Sequence, residues 1–316
     1  MKRSILFVIC ISMILSLVSC NPGSRDKHDV VYTRCDKSGD PDANGDYILF
    51  GEYPQSLKSV DVDITSTVDE RNYYLGSDGA YYAMVIAAPY ADDYNFSDGT
   101  AVTGGEAYYF KVEPIRWRIL STDGESAMLL CDSIITNLAY QSDASKNNGT
   151  YYTSANGAPY GTYANNYKYS EARAWLNGSF CDAAFSEHQR DNILKTVIDN
   201  VTENVGAVSD GYATENTEDN VFLLSYGEAC DAKLGFSGDP SEYDIKRRII
   251  TSDYARANGA LMKTSEEFYG NGSWWLRSPS DSSSVAAWRI DTAGATDDGY
   301  VNRSYFGIVP VVRIKL

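Results

Sequence analysis

Apolar and polar residues change rhythm several times along this chain, and each rhythm predicts an element. From Ile115, within Val112–Leu120, apolar and charged residues alternate as Ile115-Arg116-Trp117-Arg118-Ile119, so one face of a strand is buried and the other wet. The Asp123-Gly124 turn leads into Ala127-Met128-Leu129-Leu130-Cys131 as a hairpin partner, and these two strands are expected at the heart of a sheet. Tyr47 to Gln55 predicts a first strand halted by Pro54, and Val221-Phe222-Leu223-Leu224 a short, fully apolar one. Helix signals lie between them. Ser170 caps a helix through Glu171-Ala172-Arg173-Ala174-Trp175-Leu176 with Asn177-Gly178 as its stop. Ser186 and Gln189 form a capping-box pattern for a second helix carrying Ile193 and Leu194 inward. Ser252-Asp253 starts a small third one, ended by Asn258-Gly259. The chain closes with strand patterns at Gly272–Pro279, Val285–Asp291 and Gly307–Leu316.

Three stretches depart from this rhythm. At the N-terminus, Lys2 and Arg3 precede an uncharged, largely apolar run from Ile5 to Val18, interrupted only by Ser12 and Ser16, that ends in Leu17-Val18-Ser19-Cys20. A charged start, a short apolar core and a small residue before a cysteine predict a bacterial lipoprotein signal over residues 1–19, with Cys20 as the acylated mature N-terminus. The run is shorter than the roughly 20 residues of a spanning helix, although a short transmembrane anchor with an incidental cysteine is the plain alternative. Asn21, next to Cys20, carries no inner-membrane retention signal of the kind known in Gram-negative lipoproteins. A tether over residues 20–45 then leads into a domain over 46–316. Inside the tether, Asp40, Asp42, Asn44 and Asp46 place oxygen ligands at alternate positions with Gly45 sixth, the front half of a calcium loop. The twelfth position is Gly51 rather than Glu, so a plain Asp/Asn/Gly turn competes with a partial calcium site. The third stretch, Tyr140 to Tyr169, is dominated by Tyr, Asn, Ser, Thr, Gly and Ala. Such composition suits adaptable recognition loops, and equally a long insertion packed on the domain surface.

Charge narrows the partners. With 27 basic against 43 acidic residues the net charge is −16, and losing Lys2 and Arg3 makes the mature chain more acidic still. Such a surface repels phosphate backbones, so nucleic acid is not expected as a partner. A hydrophobic fraction of 43% supports a real core, so the chain is globular. Cys35, Cys131, Cys181 and Cys230 remain once Cys10 leaves with the signal and Cys20 carries lipid; none is in a C-x-x-C pair, and disulfides and buried thiols both stay open. Of two histidines, His28 lies in the tether and His188 in the polar first turn of the second helix, where surface exposure is expected. Histidine-based triads and multi-His metal sites therefore find little material.

Five motifs occur in order from about residue 45 to the C-terminus: Phe50 to Gln55 (Phe-Gly-x-Tyr-Pro-Gln), Ile115 to Leu120, Ser170 to Asn177, Phe185-Ser186, and Trp274 to Pro279 (Trp-Trp-Leu-Arg-Ser-Pro). The set resembles a bacterial domain of unknown function found in secreted and surface proteins, a branch of the C-type-lectin-like superfamily close to the formylglycine-generating, sulfatase-modifying group. The resemblance implies one α+β domain with a twisted antiparallel sheet, two main flanking helices and long irregular loops. It does not transfer either chemistry of that superfamily. No cysteine follows Cys230, where the formylglycine-generating enzymes use a late pair, and Glu113-Pro114-Ile115 lacks the calcium-lectin pattern. In some surface proteins of the superfamily the region matching Ser280 to Tyr305 is a diversified ligand face. Candidate ligand residues there are Asp281, Ser283, Trp288, Arg289, Asp297, Asp298, Tyr300, Asn302, Arg303 and Tyr305, with solvated strand edges and turns as the plain alternative. Trp274, Trp275 and Arg277 suit a buried platform on which the guanidinium stacks.

Together these features predict a non-catalytic lipoprotein of the cell surface or outer membrane, anchored by lipid and recognising a protein or glycan ligand, without a resident cofactor unless calcium binds the tether. An extracytoplasmic enzyme working through carboxylates or through Cys181 or Cys230, and a purely structural envelope component, are the alternatives.

Overall fold

The alternating segment becomes the spine of the molecule. In a computed structural model that describes residues 31–35, 46–200, 212 and 214–316, it is the long strand β6 (Ala107–Thr122). Three strands lie along it: β2 (Tyr47–Leu57) beside its middle, β5 (Tyr81–Ile86) beside its first part and β7 (Ser126–Cys131) beside its last. Phe110 and Trp117 each face two partners, so β2 holds one edge of β6 while β5 and β7 divide the other. The sheet extends from β7 through β21 (Val311–Lys315) to β14 (Val221–Phe222), and from β5 through β4 (Tyr74–Gly76) to β3 (Ile64–Val68). β1 (Thr33–Cys35) pairs with β2. The fold is therefore α+β, mostly strands in curled antiparallel sheets with a few short helices.

Ile115 and Trp117 are fully buried, as the alternation requires. Trp117 donates its indole N–H to the carbonyl of Phe50 at 2.7 Å, satisfying its one polar atom inside the core. Burying such a side chain stabilises the fold by about 3 kcal/mol. The predicted stop at Pro54 does not occur, because β2 continues to Leu57 with irregular register on both sides of the Glu52–Pro54 pairs. A bulge accommodates the missing N–H. Gly51 sits there at φ +70°, where a Cβ would approach the Phe185 ring to 2.6 Å. Only glycine fits.

The local caps form as expected. Ser170 accepts from the Arg173 N–H to start α1 (Glu171–Trp175), Ser186 and Gln189 close a full capping box on α3 (Glu187–Asn192), and Ser252 caps α5 (Asp253–Ala257). His188 is exposed on α3. Two expectations fail. Asn177-Gly178 does not end the first helix, which continues through a π turn at Leu176–Phe180 into α2 (Cys181–Ala184). Asn177 instead bridges outward, donating to the carbonyls of Arg173 and Val221 while its oxygen accepts from the Asn220 N–H. Ile193 and Leu194 lie past the end of α3, where Ile193 bridges to Ile314 and Leu194 donates to the Arg313 carbonyl. A sheet edge wins over the helix. Among the described residues, no helix is long and apolar enough to cross a membrane.

A second sheet of five strands places the C-terminal segment. Its order is β19 (Thr296–Tyr300), β18 (Ala286–Ile290), β17 (Trp274–Pro279), β20 (Gly307–Ile308) and β9 (Thr136–Asn137). Short pairs complete the chain: β10 (Ser145–Asn147) with β11 (Thr150–Tyr152), β12 (Thr196–Ile198) with β13 (Thr217–Asp219), and β15 (Ile249–Thr251) between β8 (Ser133–Ile134) and β16 (Asn271–Gly272). One further short helix, α4 (Tyr226–Ala229), carries a second capping box made by Ser225 and Glu228.

Candidate functional site

The Tyr-rich stretch and the C-terminal segment, far apart in sequence, meet at one cleft of about 540 Å³. Ser142, Ala144 and Tyr151 come from the first, and Ser283, Val285, Tyr300, Val301, Asn302 and Arg303 from the second. Its volume lies within the range of small-ligand sites.

The cleft stands on a pinned frame. Asn165, fully buried, donates its amide to the carbonyls of Ser283 (2.9 Å) and Ala286 (3.0 Å), while its backbone N–H reaches Ser284. Gln141, also fully buried, donates its backbone N–H to the Val301 carbonyl, and the Val301 N–H reaches Val285. Ser142 is held at the other wall, because its hydroxyl and N–H both donate to Glu171 at the start of α1. A tight turn closed by the Arg303 N–H on the Tyr300 carbonyl then projects Tyr300, Asn302 and Arg303 outward. The Asn165 and Gln141 donors thus satisfy buried carbonyls of the facing loop, which fixes loops that have little aliphatic content, although the Asn165 Oδ1 is buried without a partner among the described residues.

What projects is unsatisfied. Tyr300 is 57% exposed and Tyr151 38% exposed. The Arg303 guanidinium lies 5.8 Å from the Tyr300 ring centre and 6.0 Å from that of Tyr305. Among the described residues it meets no carboxylate and no hydrogen-bond acceptor, and the Asn302 amide has no partner either. Beside the cleft, Tyr152 stacks on Tyr163 at 5.5 Å, Tyr160 is 90% exposed, and Asn147 donates to its hydroxyl. The Tyr-rich stretch divides accordingly. Tyr140 and Tyr167 are buried in the core, and burial drives the Tyr140 hydroxyl far above its ordinary pKa, whereas Tyr151 and Tyr160 face solvent.

The ten candidate ligand residues separate into groups. Ser283, Tyr300, Asn302 and Arg303 line the cleft. Trp288 packs on Tyr226 with ring centres 4.6 Å apart. Arg289 straps β18 to β19, donating to the Asp298 carbonyl (3.0 Å), the Ser273 hydroxyl (2.7 Å) and the Asp297 carboxylate, and lying over the Phe306 ring at 4.6 Å. Asp298 accepts from the hydroxyls of Ser280 and Ser282. Tyr305 is half-buried between Tyr90 and Phe306, and Asp281 is exposed outside the cleft. Of the calcium-loop residues and the lipidation site, Cys20, Asp40, Asp42 and Asn44 fall outside the described residues. Asp46 is exposed, and its carbonyl accepts from the Ile119 N–H. Sequence reasoning missed Gln141 and Asn165, which sit in polar runs without periodicity and act through partners more than a hundred residues away.

The Trp-Trp-Leu-Arg strand has a different use. Trp274 and Trp275 are fully buried and donate their indole N–H groups to the carbonyls of Arg247 and Leu138, both at 3.1 Å. The Arg277 guanidinium does not stack on them; it lies near Phe222, 6.0 Å from the ring centre. It donates to the carbonyls of Leu223 (2.8 Å) and Asp199 (3.3 Å) and to Asn200, and both its terminal nitrogens pair with Glu228. Burial opposes the charge on Glu228, yet the guanidinium and the Ser225 bonds hold its carboxyl below the usual range. Cys131, Cys181 and Cys230 are thiols rather than disulfides, and burial pushes Cys131 and Cys181 up to about 12.

A family model described as a domain of unknown function, DUF6273, matches residues 125–316, more than half of the chain and every residue that lines the cleft. No curated protein and no solved structure matches the chain.

Proposed function

The chain belongs to the DUF6273 family, a domain of unknown function whose membership brings no activity with it, and from the chemistry of the cleft we propose a recognition protein: a lipid-anchored, extracytoplasmic lipoprotein that binds a ligand without transforming it. The observation that carries the recognition reading is the junction of two polar loops into one cleft whose exposed phenols, amide and guanidinium are unspent, on walls tied together by buried Asn165 and Gln141. Rigid walls reduce the ordering cost of binding, and tyrosines supply contact area with few rotatable bonds. The thiols weigh against a cysteine-based enzyme, because burial pushes Cys181 up to about 12 and raises Cys230 as well, away from a thiolate at neutral pH. The exposed tyrosines and the cleft weigh against a purely structural part.

The anchor rests on the sequence, on Lys2, Arg3, the apolar run to Val18 and Cys20. The C-type-lectin-like assignment rests on the five ordered motifs, and the mixed strands and short helices agree with it. Labelling with a fatty-acid probe tests the anchor: the wild-type chain is expected to carry label in the membrane fraction, and Cys20→Ala to lose it. A wild-type chain that stays unlabelled and cytosolic contradicts it. For recognition, binding to glycan and protein arrays by the wild type is expected to be lost in Tyr151→Ala/Tyr300→Ala, and unchanged binding contradicts the cleft as the site.

A further inference from the structure

We infer that the ligand of this cleft is a glycan held through a sugar that bears a single carboxylate. The inference rests on the recognition reading above and names its ligand class. Arg303 carries it first. Its planar guanidinium projects from a tight turn whose backbone is fixed on Val285 and Gln141, and among the described residues no anion or acceptor meets it. The chain is strongly acidic, with 43 acidic residues to 27 basic, yet no carboxylate is turned onto this cation. By contrast Arg277 and Arg289, on the two adjacent strands of the same sheet, are each paired with a carboxylate. The planar fork of a guanidinium presented at a cleft matches a carboxylate in two parallel hydrogen bonds.

The other lining groups favour a sugar ring over a peptide. Tyr151 and Tyr300, 38% and 57% exposed, offer aromatic surface for the C–H face of a pyranose, and the Asn302 amide offers a donor NH2 and an acceptor carbonyl suited to neighbouring hydroxyls. Apolar lining is limited to Ala144, Val285 and Val301, and Val301 is buried, so no pocket waits for a large apolar anchor. Strand addition at the neighbouring edge is disfavoured too. Along β19, Asp297 and Asp298 place charges on that edge, and the Asp298 N–H is already taken by the Asp297 carboxylate at 2.8 Å. A net charge of −16 opposes a polyanionic chain. One carboxylate on an otherwise neutral glycan meets Arg303, the one cation that lines the cleft among the described residues.

The test is an array of glycans, with uronic-acid and sialic-acid members beside their neutral counterparts and a set of peptides with free C-terminal carboxylates, probed with the full chain and with Arg303→Ala, Arg303→Lys and Tyr300→Ala. The expected result is preferential binding of carboxylated glycans, weakened at least tenfold in Arg303→Ala, partly recovered in Arg303→Lys, and lost in Tyr300→Ala, with melting temperatures unchanged. Equal binding of neutral glycans, indifferent to Arg303→Ala but lost in Tyr300→Ala, overturns the carboxylated sugar and leaves the cleft as a recognition site. Binding of the peptides alone through Tyr300 does the same. Binding of nothing on the array, or binding that survives Tyr300→Ala, overturns both readings.

Discussion

Arg277 and Arg303 belong to the same C-terminal sheet region, yet they are used in opposite ways. Arg277 is 3% exposed, and its guanidinium is spent on Glu228, Asn200 and the carbonyls of Leu223 and Asp199. Arg303 stands in solvent on a turn, its guanidinium near two tyrosine rings and free of any acceptor among the described residues. A buried cation whose donors are all answered by the protein ties strands together and is costly to disturb. A cation on a pinned turn with its donors open costs the fold little and is available to something else. Arg289 shows that residue type and neighbourhood do not decide the matter. It also stands among the Ser/Asp-rich strands near the cleft, but Asp297, Ser273 and the Asp298 carbonyl use it up as a strap.

Substitutions at the two ends of this contrast separate stability from binding. Arg277→Met is expected to have the largest effect: it strands Glu228 without its cation and frees buried carbonyls, at a cost on the order of 4 kcal/mol in urea denaturation. A loss below about 1 kcal/mol would remove the distinction between the two arginines. Asn165→Ala comes next. It deletes the amide that holds Ser283 and Ala286, so about 2 kcal/mol is lost and ligand binding weakens with it, although Asn165 is outside the cleft lining. Amide exchange in the 283–286 turn checks the cause. It should speed up in the variant.

The third effect is a pH dependence. Glu228 has its carboxyl lowered from the ordinary value of 4.5, so the unfolded chain binds its proton more readily than the folded one. Its contribution to stability is complete above about 4.5 and is lost as pH falls through the lower folded value. Acid unfolding of Glu228→Gln should accordingly show a flatter stability slope below that pH than the wild type, and an identical slope would contradict the paired state. Arg303→Ala is expected to change stability least, within about 0.5 kcal/mol, while weakening ligand binding at least tenfold. Thermal melting and binding measured on one preparation read both.

What the sequence disclosed follows from how far each interaction reaches. The hairpin of β6 and β7 was legible because alternation and the Asp123-Gly124 turn are local, as were the caps at Ser170, Ser186 and Ser252, whose partners lie three residues on. Where distant partners decide, the local signal misled. Asn177-Gly178 resembles a helix stop, but Asn177 is recruited by Asn220 and Val221, and Ile193 leaves its helix for Ile314. The cleft shows the same limit. Ser283, Tyr300, Asn302 and Arg303 stood out by composition, and so did the Tyr-rich stretch, but their meeting depends on Asn165 and Gln141 reaching across the chain. Nothing near Arg277 in sequence announces Glu228, Asn200 or Leu223 as its partners.

The most direct measurement is a paired one on the full chain: ligand-array binding and thermal midpoint for wild type and Arg303→Ala from matched preparations. Binding that weakens at least tenfold while the midpoint stays put is the predicted result. A variant that binds as the wild type does, or that loses binding only because it melts early, would contradict a pinned cleft whose open guanidinium serves recognition.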